Sequence, residues 1–164
     1  MIVHCTALVE RPAACLFDLI EAAENYPRFL PWCEGANIVA RDDLQVCADI
    51  RVRYRGVGFE MRTRNPKRRP EYMAIHLERG PFRNFEGEWF VTALTEQACK
   101  VEFRLDYEFD SALMTRIAGP MFHRVSDTLV DAFVREAERA PSPAEPPPEP
   151  AAAAPSGAAD PAAP

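Results

Sequence analysis

The sequence predicts an α+β fold in which a curved antiparallel sheet of about six or seven strands wraps around a long C-terminal helix. Three observations lead there. Apolar and polar residues alternate with period two through most of residues 45–109, the mark of strands with one buried face. From about Ser111 to Glu138 the apolar residues recur at helical spacing instead. The other helical pattern is short and lies between a first strand and the remaining ones. A twisted sheet with one apolar face and a helix with one apolar stripe bury both when the sheet curls around the helix.

Each element follows from local pattern. Residues 2–9 are apolar and β-rich enough for a first strand. Pro12 suits the first turn of a helix and opens PAACLFDLIEAAENY, where Cys15, Leu16, Leu19, Ile20 and Ala23 recur at helical spacing. Pro27 and Pro31 stop that helix, so YPRFLPWC, residues 26–33, lies on a short second helical turn or a tight loop. In residues 45–56, Val46, Ala48, Ile50, Val52 and Tyr54 face one side while Asp49, Arg51, Arg53 and Arg55 face the other. The next segment repeats the alternation with Phe59, Met61 and Thr63 inside, and a turn at Arg55 to Gly58 makes the two a hairpin. Met73, Ile75 and Leu77 mark a further strand, closed by Gly80-Pro81. Residues 84–94 and 99–109 are two more, the last with Val101, Phe103, Leu105, Tyr107 and Phe109 on one face. In the final helix Leu113, Ile117, Met121, Val125, Leu129 and Phe133 form one stripe, with Met114, Phe122 and Val130 beside it. If straight it runs on the order of 40 Å, and Gly119-Pro120 is expected to kink it.

The 164 residues, 48% hydrophobic and 27% charged, fit one globular domain over residues 1–140. From Pro141 onward the chain holds nine of its 16 prolines and no aromatic, β-branched or basic residue. Residues 141–164 are therefore expected to be a disordered Pro/Ala-rich tail. Its acids are Glu145, Glu149 and Asp160, so the net charge of -6 becomes -3 without them. So mild an acidity argues against a broad nucleic-acid face, and no DNA partner is expected. Neither a secretory signal nor a spanning helix is visible at MIVHCTALVERP, which places the protein in the cytoplasm.

Phosphate-loop, zinc-protease and nucleophile-elbow motifs are missing. His4, His76 and His123 lie far apart, and no nucleophile, base and orienting group can be assembled, so no catalytic residue is expected. Cys5, Cys15, Cys33, Cys47 and Cys99 are irregularly spaced and read as reduced, mostly buried thiols rather than metal ligands. Arg51, Arg53, Arg55, Arg62 and Arg64 match Glu102, Asp106 and Glu108 in charge. They form either a solvated sheet face laced with ion pairs or a basic patch from Arg51 to Arg69 for ribosomal RNA or anionic lipid headgroups. Between the helix and an inner face rich in Phe59, Met61, Phe85, Trp89, Phe103 and Tyr107, a tapering apolar space is expected. A ligand there is held mainly by burial, at roughly 0.8 kcal/mol per CH₂ removed from water.

YPRFLPWC at 26–33, FEMRTRN at 59–65, RGPFRNFEGEWFV at 79–91, CKVEF at 99–103 and VDAF at 130–133 resemble, in order and spacing, the coenzyme Q-binding START-like family within the polyketide cyclase/dehydrase-like superfamily. That family includes bacterial proteins named ribosome association toxins, and the likeness covers about residues 1–140. The resemblance implies a helix-grip fold around a hydrophobic cavity. It implies binding of ubiquinone or a similar polyisoprenoid lipid, in support of respiratory electron transfer, as a carrier touching the membrane surface transiently, with no catalytic cofactor. The cavity is then assigned to Phe59, Met61, Trp89, Phe103, Met121, Phe122 and Val125, with Phe29, Leu30 and Trp32 at its entrance. The aromatic YPRFLPWC turn becomes a stiff lid at the cavity mouth, or else a latch closing the end of the core. The alternative role is binding the large ribosomal subunit and impairing subunit joining through the Arg51 to Arg69 face. A cyclase on the same fold lacks a visible acid-base pair.

Overall fold

The computed structural model describes residues 1–139. The expected tail, 141–164, lies outside the described residues. Seven strands, β1 (Ile2–Val9), β2 (Cys33–Arg41), β3 (Gln45–Tyr54), β4 (Val57–Arg68), β5 (Tyr72–Arg79), β6 (Phe82–Thr95) and β7 (Ala98–Phe109), form one sheet. Helix α1 (Ala13–Glu21) and a 3-10 turn (Ala23–Arg28) lie between β1 and β2, and α2 (Ala112–Arg139) ends the described chain. The sheet order is β1-β7-β6-β5-β4-β3-β2, antiparallel throughout. From β2 to β7 each strand pairs with the next, as short connections between antiparallel strands favour. Strand β1 instead pairs with β7, so β1 and β2 sit at opposite edges. The segment joining them, α1 and the 3-10 turn, must therefore cross the sheet.

The alternation read from sequence holds. Val46, Ala48 and Val52 are buried on β3, Met61 and Thr63 on β4, and every second residue from Cys99 to Phe109 on β7. The β3–β4 turn is tighter than expected, because Tyr54 pairs with Val57 and Gly58 already belongs to the strand. Its two central residues, Arg55 and Gly56, have φ of 48° and 81°, the left-handed pair that a two-residue hairpin requires and glycine adopts without strain.

Helix α2 begins after Ser111, whose Oγ accepts the Met114 N–H at 3.1 Å, a serine N-cap. It continues through Pro120 as one helix, with the Arg116 carbonyl deprived of its usual N–H partner. Its buried face keeps the later part of the expected stripe and loses its start. Ala118, Phe122, Val125, Ser126, Val130, Phe133 and Ala137 are buried, whereas Leu113 and Ile117 are 65% and 49% exposed. The reason is geometric. A row taken at every fourth residue rotates by about 40° per step, so a stripe that faces the core at Val125 and Phe133 has turned to solvent by Leu113.

Charge fastens the crossing segment to the sheet. Lys67, on the inward side of β4 with a side chain only 5% exposed, is ion-paired with Glu21 at the end of α1. Arg41 of β2 grips Glu24 with two hydrogen bonds, 2.9 and 2.7 Å, and Arg69 reaches Asp18 at 2.7 Å. Hydrogen bonding from Arg41 holds the Glu24 carboxyl below its ordinary range, so that contribution is present at neutral pH and lost as pH falls. Lys67→Met is expected to destabilise the protein strongly, because Glu21 loses its buried partner. The cost lies at the low end of roughly 3 to 5 kcal/mol, since Arg41 remains 3.9 Å from Glu21. Urea unfolding of Lys67→Met against Lys67→Met/Glu21→Leu checks this, with the double variant recovering much of the loss.

Candidate functional site

Between the concave face of the sheet and α2 lies a cavity of about 90 Å³. Its floor comes from β3 to β7, its wall from α2, and its cover from Ala23, Tyr26 and Trp32 of the crossing segment. Gly87 of β6 lies opposite Ile75 in the sheet, and a Cβ there would come within 3.2 Å of the Ile75 side chain. The missing side chain lets Ile75 lie across the floor.

Six expected residues, Trp32, Met61, Trp89, Phe103, Phe122 and Val125, line this cavity. Phe29, Leu30, Phe59 and Met121 do not. Leu30 is 1% exposed within the core itself. Phe29 packs edge-on against Phe133 of α2, centroids 5.1 Å apart. Phe59 belongs to an aromatic cluster with Phe82, Phe109 and Phe122, at 5.5, 6.1 and 6.0 Å, that borders the cavity through Phe122. Met121 packs half-buried against the core but away from the cavity. All four have apolar inward character, and alternation alone does not separate a void-lining side chain from a core one. The aromatic turn divides between cavity and core. Tyr26 and Trp32 cover the cavity, while Leu30 anchors the turn and Phe29 and Tyr26 lock onto Phe133. The backbone supports it, with Arg53 N–H donating to the Trp32 carbonyl at 2.9 Å.

The sequence reading overlooked Thr63, Asn65 and Ser126 as lining groups. The parity that placed Met61 and Thr63 inside extends to Asn65, so two of the three were legible.

A family model described as polyketide cyclase / dehydrase and lipid transport matches residues 9–134. The chain belongs to that family. Among its relatives is the ribosome association toxin RatA of Pseudomonas aeruginosa, 33% identical over 134 residues, covering 82% of this chain and 93% of the relative. A more distant one is the mitochondrial coenzyme Q-binding protein of Drosophila melanogaster, 22% identical over 128 residues, covering 76% of this chain and 53% of that protein. The Zhui aromatase/cyclase from a Streptomyces species superposes with a TM-score of 0.74 at 18% identity, covering 85% of this chain and 94% of that one. A START superfamily protein from Mycobacterium smegmatis gives 0.67 at 20% identity, covering 84% and 97%. These two likenesses show the START-like helix-grip fold.

In this polyketide cyclase-like chain the titratable groups lie mostly outside the cavity. His4 pairs with Glu102 at 2.8 Å, His76 with Glu86 at 2.6 Å and His123 with Asp127 at 3.3 Å, all at the surface. Among the described residues no group of three His, Cys, Asp or Glu is placed to hold a metal ion, and no helix is long and apolar enough to cross a membrane. The arginines of β3 and β4 do not meet the acids of β7, which lies beyond β5 and β6. They pair locally: Arg53 with Glu34 at 3.0 Å, Arg62 with Asp49 at 2.7 Å, Arg64 with Glu78 at 3.6 Å.

In the cover itself, burial pushes the Tyr26 phenol well above its ordinary value, and its hydroxyl donates to the Ile20 carbonyl. Burial also raises the Cys33 thiol from the ordinary 9.0 to about 11. The unfolded chain thus ionises before the folded one, and stability falls as pH rises from about 9 to 11. Urea midpoints measured across that range are expected to decline steadily, and Cys33→Ala to flatten part of the slope.

Proposed function

We propose that this chain binds an apolar, ring-bearing lipid of the isoprenoid quinone class in the cavity beneath α2, and acts as its carrier rather than as a catalyst. The observation that carries the reading is the lining. It combines Trp89, Phe103, Phe122 and Phe133 with Met61, Met73 and Leu129, and its polar members are Tyr26, Thr63, Asn65 and Ser126. None of these is a carboxylate, histidine or lysine, and the buried Tyr26 phenol is held protonated at neutral pH, so the chemistry for proton transfer is lacking there. The coenzyme Q-binding relative supports the ligand class.

At about 90 Å³ the cavity is smaller than the roughly 150 Å³ apolar void that admits benzene in an engineered protein. A ring therefore enters only as side chains shift, and the unbranched Met61 and Met73 are suited to that. An isoprenoid tail then runs out past Tyr26 and Trp32 toward the solvent or a membrane surface. Organic extraction of gently purified protein followed by mass spectrometry is expected to recover a quinone lipid at near-stoichiometric amounts. Val125→Phe, which fills the cavity without adding charge, should retain at least tenfold less while keeping its circular dichroism; equal retention would remove the site assignment.

The RatA relatives, at 33% identity, favour a second reading, association with the ribosome. Arg51, Arg55 and Arg68 suit an anionic partner best, since Arg53, Arg62, Arg64 and Arg69 are already ion-paired. Arg55 and Arg68 lie over the Tyr54 and Tyr72 rings, each at 5.4 Å. Sedimentation of ribosomes with added protein tests it: a shift from joined to separate subunits is expected with the parent and not with Arg51→Glu/Arg55→Glu/Arg68→Glu. An unchanged profile with the parent would dismiss this reading.

A further inference from the structure

Four hydroxyl or amide side chains line the cavity, Tyr26, Thr63, Asn65 and Ser126, and two of them are already engaged. The Ser126 hydroxyl donates to the Phe122 carbonyl at 2.9 Å, and the Tyr26 hydroxyl donates to the Ile20 carbonyl. Thr63 and Asn65, two residues apart on the inward face of β4, differ from them. Thr63 is 1% exposed, and Thr63 Oγ1 and Asn65 Oδ1 are buried with no hydrogen-bond partner. Such atoms destabilise a fold unless something completes them, and both side chains border the cavity.

Between them the two side chains offer both halves of a hydrogen bond. A threonine hydroxyl donates and accepts, while a carboxamide brings a carbonyl oxygen and an NH₂ group, and a half-turn of the amide exchanges its two ends. The pair therefore serves a ring carbonyl, a ring hydroxyl or an ether oxygen alike, whatever the oxidation state of the ring. A methylene, a methyl or a bare ring edge it cannot serve. These bring no partner, and on entering they displace any solvent that would otherwise supply one.

Building on the carrier reading above, we infer that Thr63 and Asn65 are the specificity-determining contacts of the cavity: they bind ring oxygens, and so admit an oxygenated ring in preference to a hydrocarbon ring or an acyl chain of the same size. The apolar lining, with Met61, Met73, Trp89, Phe103 and Phe122, holds any apolar shape by burial and is indifferent to that distinction. Burial supplies the affinity and the β4 pair supplies the choice, because a ligand without oxygen leaves both polar atoms buried and unpaired. A lipid entering chain-first does the same, so the ring is the end that reaches β4.

Equilibrium dialysis of the full chain, in excess over trace duroquinone or durene, tests this. The two probes share a tetramethyl ring and differ in the ring oxygens, and the fully substituted ring of duroquinone leaves no open position for addition of a thiol. Comparing each variant with the parent, one probe at a time, removes the difference in water solubility between them. Thr63→Val/Asn65→Leu, close in shape to the parent, is expected to weaken duroquinone binding about tenfold, through two lost hydrogen bonds, and to leave durene bound as tightly or more tightly. Retained durene binding also reports an intact cavity. Thr63→Ser, which keeps the hydroxyl, is expected to hold duroquinone within about twofold of the parent. Duroquinone binding unchanged in the double variant overturns the inference and leaves the carrier reading standing. Both probes weakened to the same degree, in the double variant and in Thr63→Ser alike, overturns it as well. No binding of duroquinone to the parent overturns the inference, and the carrier reading with it where extraction also recovers no quinone lipid.

Discussion

One helix has to cover one face of a seven-stranded sheet, and it is too narrow to do so. Six spacings of about 4.8 Å make the sheet roughly 29 Å across, against about 10 to 12 Å for a helix with its side chains. Curvature closes part of the difference. The rest is taken up by the segment that must cross from β1 at one edge to β2 at the other. Helix α2 lies closest to β1, β7 and α1, so the space over β3 to β5 is left to the 3-10 turn, Trp32 and the cavity. The void is a consequence of that mismatch in width, and its cover is the chain's own crossover.

The inward row of β4 links the parts of this arrangement. Phe59 sits in the aromatic cluster, Met61 on the cavity floor, Thr63 and Asn65 among its polar groups, and Lys67 in the ion pair that fastens α1. A single strand face therefore passes from dry core through the cavity to the charged clamp. The clamp and the cover are mechanically one piece, because Glu21 and Glu24 flank the start of the turn that carries Tyr26. Any opening of the cover works against Lys67, Arg41 and the edge-on packing of Tyr26 and Phe29 against Phe133.

Family membership narrows the function less than it narrows the fold. The same architecture carries an aromatase/cyclase among its structural neighbours and a ribosome association toxin among its sequence relatives. The lining of this chain's cavity carries neutral hydroxyl and amide groups, with no carboxylate, histidine or lysine among them.

The sequence by itself determined the order of the elements and the parity of each strand, because both are local. Alternation around Val46 to Tyr54 and Val101 to Phe109 needs no knowledge of what lies opposite, and Pro12, Pro27 and Ser111 mark boundaries within a turn or two. Tertiary structure decided the rest. Whether an inward aromatic such as Phe59 or Trp89 meets core or void depends on where α2 lies over the sheet. The phase of α2, which exposes Leu113 and buries Ala118, depends on which face the curved sheet accepts. The arginines found acids on their own neighbours rather than on β7, because strand order sets ion-pair partners and no local pattern encodes strand order.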